Sequence, residues 1–197
     1  MKWWVSTDWH KDHLNIMLPE YESRPPGFED MLVERHNEVM SPEDGLLCLG
    51  DVVFGMEKER LDEYLARFNC RTIVLIRGNH DKKRDEWYLN KGFSMVCDQM
   101  VIRGVLFSHH PTMLGLDHIL NVHGHHHRGL HRSDEKHWYP ASERHVLLSA
   151  EYADYYPVSI GDLIMGKWTV DNKVYFSKGC RNGYQAREYH LGKTSSP

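Results

Sequence analysis

The chain has 197 residues, 41% of them apolar, enough for one domain with a real core or for one domain with a modest appendage. Its formal charge of -4 is small for that length and excludes the global positive field of an obligate nucleic-acid coat protein, so any phosphate binding must be local. Four widely spaced cysteines, Cys48, Cys70, Cys97 and Cys180, form no CxxC pair, which excludes a thiolate zinc knuckle and a dithiol redox motif and reads as reduced thiols.

In chain order, MKWWVSTDWH meets charge too soon for a signal peptide, and no stretch approaches the roughly 20 apolar residues that cross a bilayer. A cytoplasmic protein without a membrane partner is expected. Residues 2–6 read as a strand ending at polar TDWH, residues 46–49 as a second ending at GDVVFG, and residues 72–76 as a third ending at RGNHD. Between them lie two helical segments. FEDMLVERHNEVM has Met31, Leu32, Arg35 and Val39 setting the spacing, and EKERLDEYLARF has Leu61, Tyr64, Leu65 and Phe68 on one face. Strand alternating with helix implies a largely parallel first sheet.

Further on, MVCDQMVIRGVLFSHHP reads as two strands joined at Arg103-Gly104, and LDHILNVHGHHH brings another strand to a histidine tract. HVLLSAEYADYYPVSIGDLIMG and KWTVDNKVYFSKG follow, with a hairpin turn expected at Asp171-Asn172. Two sheets are therefore expected, with residues 1–165 as the domain and residues 166–197 as a hairpin or tail extending it.

The strand ends gather the chemistry, as they do in open α/β sheets, where ligands bind outside the carboxyl ends of the strands. Asp8 and His10 follow the first strand, Asp51 the second, and Asn79 with His80 the third. Four histidines crowd residues 123–127, and SHHP supplies His109 and His110. Alone, the tract is a solvated loop, the aspartates are turn or helix caps, and GNHD is a Gly-Asn hairpin turn. Mixed imidazole and carboxylate donors instead suit borderline ions such as manganese, iron, zinc or nickel. If the ligand loops are extended, Asp8 and His10 point one way with Trp9 elsewhere, and His125 and His127 project together with His126 turned away. The glycines before Asp51, Asn79 and His125 permit tight turns where a side chain would crowd the site.

Together and in this order, DWH, GD, GNHD, SHHP and GHHH resemble the calcineurin-like metallophosphoesterase family, whose pattern reads DxH, GD, GNH[DE], H, GHxH. The likeness covers residues 8–127, and YYPVSIGDLI is similar to a segment following the last motif in short single-domain bacterial and viral members. It implies an α/β protein, a two-sheet α/β/β/α sandwich, binding two divalent transition-metal ions with manganese the first choice. Asp8, His10, Asp51 and His127 are implied for one ion, and Asp51, Asn79, His109 and His125 for the other, with Asp51 as bridge.

The resemblance further implies attack on phosphorus by hydroxide held between the ions, with His80 serving the departing oxygen. Asp81 is expected to orient the His80 ring. His13 is expected either against the substrate phosphate or at a surface helix start, and His123 in support of the ligands. At SHHP, His109 aligns with the ligand; His110 stands where relatives commonly have an aromatic residue, and could pair with substrate or simply pack. The function expected is a phosphodiesterase rather than a monoesterase, acting on nucleotides or small phosphodiesters. Two alternatives stand beside it: a nuclease docked on DNA or RNA by the basic tail, which carries Lys167, Lys173, Lys178, Arg181, Arg187 and Lys193, and a catalytically silent metal-binding interaction module.

Overall fold

The computed structural model describes residues 1–19, 24–54, 60–127 and 144–165, with the backbone of two later strands. Strands β1 (Trp3–Ser6), β2 (Gly45–Cys48), β3 (Thr72–Ile76) and β4 (Met95–Cys97) are parallel and lie in the order β4-β3-β2-β1. The apolar run is continuous because both faces of this sheet are covered: β2 is buried at every position and β3 at all but its first. A second sheet begins with β5 (Gln99–Ile102) and β6 (Val105–Ser108), an antiparallel pair turned at Arg103 and Gly104, both with positive φ. To β6 are added β7 (Leu120–His123) and β8 (His145–Leu147), both parallel. The chain then returns β9 (Val158–Ser159) antiparallel to β1, and finally sets β10 (Lys173–Lys178) against β8 and β11 (Gln185–His190) against β10.

The two sheets face one another, which is the sandwich expected. Val5, Leu47, Leu49, Val74 and Ile76 from the first meet Val105, Phe107, Val122, Val146 and Leu148 from the second. On the other face of the first sheet, Leu46, Cys48, Ile73 and Leu75 pack under helices α1 (Phe28–Val39), α2 (Leu61–Leu65) and α3 (Asp85–Lys91). Helix α4 (Ile160–Ile164), capped by the Ser159 hydroxyl, sends Ile160 and Leu163 to the layer between the sheets.

Three expectations shift. Residues 95–111 hold three strands, not two, because the chain leaves the first sheet after Cys97 and starts the second at Gln99. Helix α1 buries Phe28, Leu32, Val33 and His36, while Val39 is 40% exposed, so its inward face is turned by about one residue from the spacing expected. Helix α3, unforeseen, is a short element started by Asp85 and Glu86 and stopped by Gly92 at φ 117°. The turn expected at Asp171-Asn172 and most of the basic tail, with Cys180, lie outside the described residues. Cys48, Cys70 and Cys97 carry free thiols.

Candidate metal centre

The carboxyl ends of β1, β2, β3, β6 and β7 meet at one edge of the sandwich, and backbone bonds tie their loops. Asp8 N–H donates to Gly50 O at 3.0 Å, His10 N–H to Asp51 O at 2.9 Å, and Gly124 N–H to His109 O at 3.0 Å. The loops are not extended as expected. Asp8, His10, Asp51, His125 and His127 all take positive φ, between 39° and 70°. Asp and His tolerate that region better than most residues, and such strain persists only where the surroundings enforce it. A β-carbon on Gly124 would stand 2.1 Å from Thr7 Oγ1 and 2.4 Å from Asp8 Oδ2; one on Gly78 would stand 2.1 Å from Asp51 Oδ1. The glycines are thus needed for the close approach of one ligand loop to the next.

The side chains brought together form three overlapping groups. Donor atoms of Asp8, His10 and His127 lie within 4.8 Å of one another, as do those of Asp8, Asp51 and His109, and those of His109, His110 and His125. Asp51 Oδ2 stands between the groups, 3.7 Å from His10 Nε2 and 3.3 Å from His109 Nε2. Asn79 Oδ1 lies 2.8 Å from the same His109 nitrogen. His10 Nε2 is buried without a hydrogen-bond partner and faces Asp8 Oδ1 at 3.9 Å. A buried lone pair aimed at carboxylates is costly unless a cation lies between them, so this donor set fits a divalent ion.

Outer contacts fix which nitrogen faces inward. His109 Nδ1 donates to Leu49 O at 2.7 Å. Burial, then His127, hold the His10 pKa well below its ordinary value. The neutral His10 ring that keeps Nε2 bare carries its proton on Nδ1, 3.1 Å from His13 Nδ1. His13, itself held near 4 by burial and then by His80, is neutral and can accept that proton's hydrogen bond. His13 therefore stands behind His10. On its other side it stacks on Phe54 at 4.0 Å.

Asp81 serves differently from expectation. Its carboxylate accepts from Asp51 N–H at 2.8 Å, Gly78 N–H at 2.8 Å and Val52 N–H at 3.2 Å, so it braces two ligand loops rather than the His80 ring. Burial and the neighbouring Asp51 push its pKa up to about 6. His80 donates its backbone N–H to Asp51 Oδ1 at 2.8 Å and holds Nε2 3.9 Å from Asp51 Oδ2, with the ring 34% exposed at the mouth. His123 is fully buried beneath the tract, with Nδ1 3.0 Å from Gly124 O, and His126 turns towards it at 6.2 Å between ring centres.

Two residues at the site went unrecognised in sequence. Glu151 Oε1 lies 3.3 Å from His127 Nδ1, and Arg24 donates from Nε to the same oxygen at 2.6 Å; both side chains are buried. Glu151 had a signal, since HVLLSAE is another apolar run closing on an acid at a strand end. Arg24, in SRPPG, had none.

The sequence profile of calcineurin-like phosphoesterases matches residues 1–176. The chain belongs to that family. Calcineurin-like phosphoesterases hydrolyse phosphate esters with divalent metal ions, and the candidate ligand groups of this one are those described above. It is 30% identical over 171 residues to the uncharacterized protein MJ1445 of Methanocaldococcus jannaschii, covering 83% of this chain and 89% of the relative. The crystal structure of AQ665 of Aquifex aeolicus, a protein of unknown function, superposes with a TM-score of 0.65 at 24% identity, covering 83% of this phosphoesterase and 98% of that chain. The Pseudomonas putida nuclease MPE gives a TM-score of 0.46 at 21% identity over 62% of this chain and 60% of its own. No helix among the described residues is long and apolar enough to cross a membrane.

Proposed function

We propose that this phosphoesterase is a dinuclear metal-dependent phosphodiesterase acting on nucleotides or small phosphodiesters. The observation that carries the reading is the placement of Asp51 Oδ2 between His10 Nε2 and His109 Nε2, where one carboxylate can serve two ions. Asp8, His10 and His127 would complete one position; Asn79, His109 and His125 the other. Divalent ions held by these residues would supply an activated water and neutralise charge on the phosphoryl oxygens. The chain's own part is to aim the donors, and to offer a proton where the leaving oxygen departs. His80 is the candidate for that proton. It combines proximity to Asp51 with partial exposure, and its ring borders Phe54 at 4.9 Å and His10 at 5.5 Å. The Phe54–His13 stack beside it offers an aromatic wall suited to the planar base of a nucleoside whose hydroxyl oxygen departs from phosphorus.

The test is release of nitrophenol from bis-p-nitrophenyl phosphate and from p-nitrophenyl phosphate, with added manganese, by the wild type and His80→Ala. The variant is expected to bind metal normally and to lose about 10²- to 10⁴-fold in turnover of the diester. Full activity in the variant would remove His80 from the reaction. No turnover by the wild type would favour a silent metal-binding module.

A further inference from the structure

We infer that His110 is a third imidazole donor for the ion held by His109 and His125, making this position selective for nitrogen-preferring metals such as zinc or nickel. The inference rests on the dinuclear reading and goes beyond it in donor set and metal preference.

Consecutive residues of a strand point to opposite faces. His109 and His110 can both enter one site only because β6 ends at Ser108 and the chain turns there. That turn is firmly held. Ser108 Oγ and Thr112 Oγ1 both donate to His110 O, at 2.7 and 3.0 Å, and Thr112 N–H donates to Asn121 Oδ1 at 2.9 Å. Pro111 keeps residue 110 out of the helical region. With the backbone so fixed, the His110 ring meets His109 edge to face at 4.9 Å and lies 4.1 Å from His125, centre to centre.

One nitrogen from each of the three rings lies within 4.8 Å of the other two. Two nitrogens bound to one ion at about 2.1 Å are at most about 4.2 Å apart, so the set closes by small side-chain rotations. The other position, formed by Asp8, His10 and His127, includes none of these rings. With Asp51 common to both, the two positions therefore differ: one adds the Asp8 carboxylate to two imidazoles, and the other adds the Asn79 amide oxygen to three. Imidazole favours zinc, nickel and iron, whereas oxygen donors suit manganese and magnesium.

Calorimetric titration of the full chain, stripped with a chelator, with zinc and with manganese tests this in the wild type, His110→Phe and His110→Gln. Phenylalanine keeps the ring contacts and glutamine keeps polarity, so a folding defect peculiar to one is exposed by the other. The wild type is expected to bind two zinc ions. Each variant should hold one as before and bind the other at least about 10- to 100-fold more weakly, the loss that removal of an outer partner already produces. Manganese affinities should change less than about threefold, and the absorption bands of the cobalt-loaded protein should shift in the variants. Two zinc ions bound by both variants within about threefold of wild type, with an unchanged cobalt spectrum, would overturn the role of His110. A wild type that binds fewer than two ions would instead overturn the dinuclear reading itself.

Discussion

Glu151 Oε1 lies 3.3 Å from Nδ1 of His127, on the far side of the ring from Asp8 Oδ1, which faces Nε2 at 3.7 Å. A carboxylate behind a metal-facing imidazole fixes its tautomer and raises its basicity. Burial would raise the Glu151 pKa, but Arg24 and His127 hold it well below the usual range, and the Ser149 hydroxyl donates to Oε2 at 2.6 Å. Glu151→Gln should therefore weaken metal binding at the Asp8 position by roughly 10- to 100-fold in a calorimetric titration, and should also lower stability in urea unfolding because the Arg24 guanidinium stays buried without its carboxylate. Arg24→Met should act chiefly on the fold, because it takes the guanidinium from the buried, charged Glu151 and leaves it only the Ser149 hydroxyl and the His127 ring. A loss of about 3 to 5 kcal/mol in urea unfolding is expected. A Glu151→Gln protein with wild-type metal affinity would reduce the pair to a structural role.

Metal uptake should also release a proton. Burial opposes a charge on His109, yet the neighbouring Asp51 outweighs it and raises the imidazole to about 9, while Asp51 itself is held near 2. At pH 7.5 the metal-free ring is thus an imidazolium, and an ion needing the Nε2 lone pair must displace its proton. His10, held neutral, releases none. Binding should liberate about one proton from His109 at pH 7.5 and weaken roughly tenfold per pH unit as pH falls further below 9. Titrations in two buffers of different ionisation heat read this directly, and identical heats would refute it.

The contrast between these residues shows what a sequence makes legible. Asp8, His10, Asp51, Asn79, His109, His125 and His127 stood out because metal chemistry demands particular donors and the loops carrying them interrupt apolar runs. Strand β3 was read to its exact ends because a buried parallel strand is one unbroken apolar run. Strand β4 was joined to the wrong neighbours because alternation does not say which sheet a strand enters. Arg24 was invisible because only folding carries its guanidinium to Glu151, 127 residues away. The left-handed backbone at Asp8 and His125 was likewise hidden, since an Asp or His there looks the same in a list of letters as one in an extended segment.

That backbone makes Gly124 a sensitive position. Its added β-carbon would press on Thr7 Oγ1 and Asp8 Oδ2, and the Thr7 hydroxyl already donates to that carboxylate at 2.7 Å. Relief requires the tract to retreat from Asp8, breaking the bonds from His125 N–H to Asp8 Oδ1 and Oδ2 at 3.3 and 3.0 Å. Gly124→Ala should cost about 1 to 3 kcal/mol of stability, as overpacking does. It should also abolish tight binding of at least one ion, since Asp8 and His125 are proposed to serve different ions. Retention of two tightly bound ions would show that the loop can yield without cost.

His36 offers a pH test remote from the metal centre. Its Nδ1 donates to Leu32 O at 2.7 Å, and the ring packs edge-on to Trp9 and Phe68 in the helix-side core. Burial lowers its pKa to about 4, against about 6.5 in an unfolded chain. Between those values the unfolded chain binds the proton and the folded one does not, so stability falls as pH drops from about 6.5 to 4 and levels off below. The full difference corresponds to about 3 kcal/mol. His36→Leu removes the titrating group while keeping an apolar side chain against Trp9. Wild type and variant should therefore diverge in urea stability between pH 7 and pH 4, the wild type losing about 3 kcal/mol more. An unchanging gap between them across that range would mean that His36 takes up its proton in the folded core as readily as in the unfolded chain.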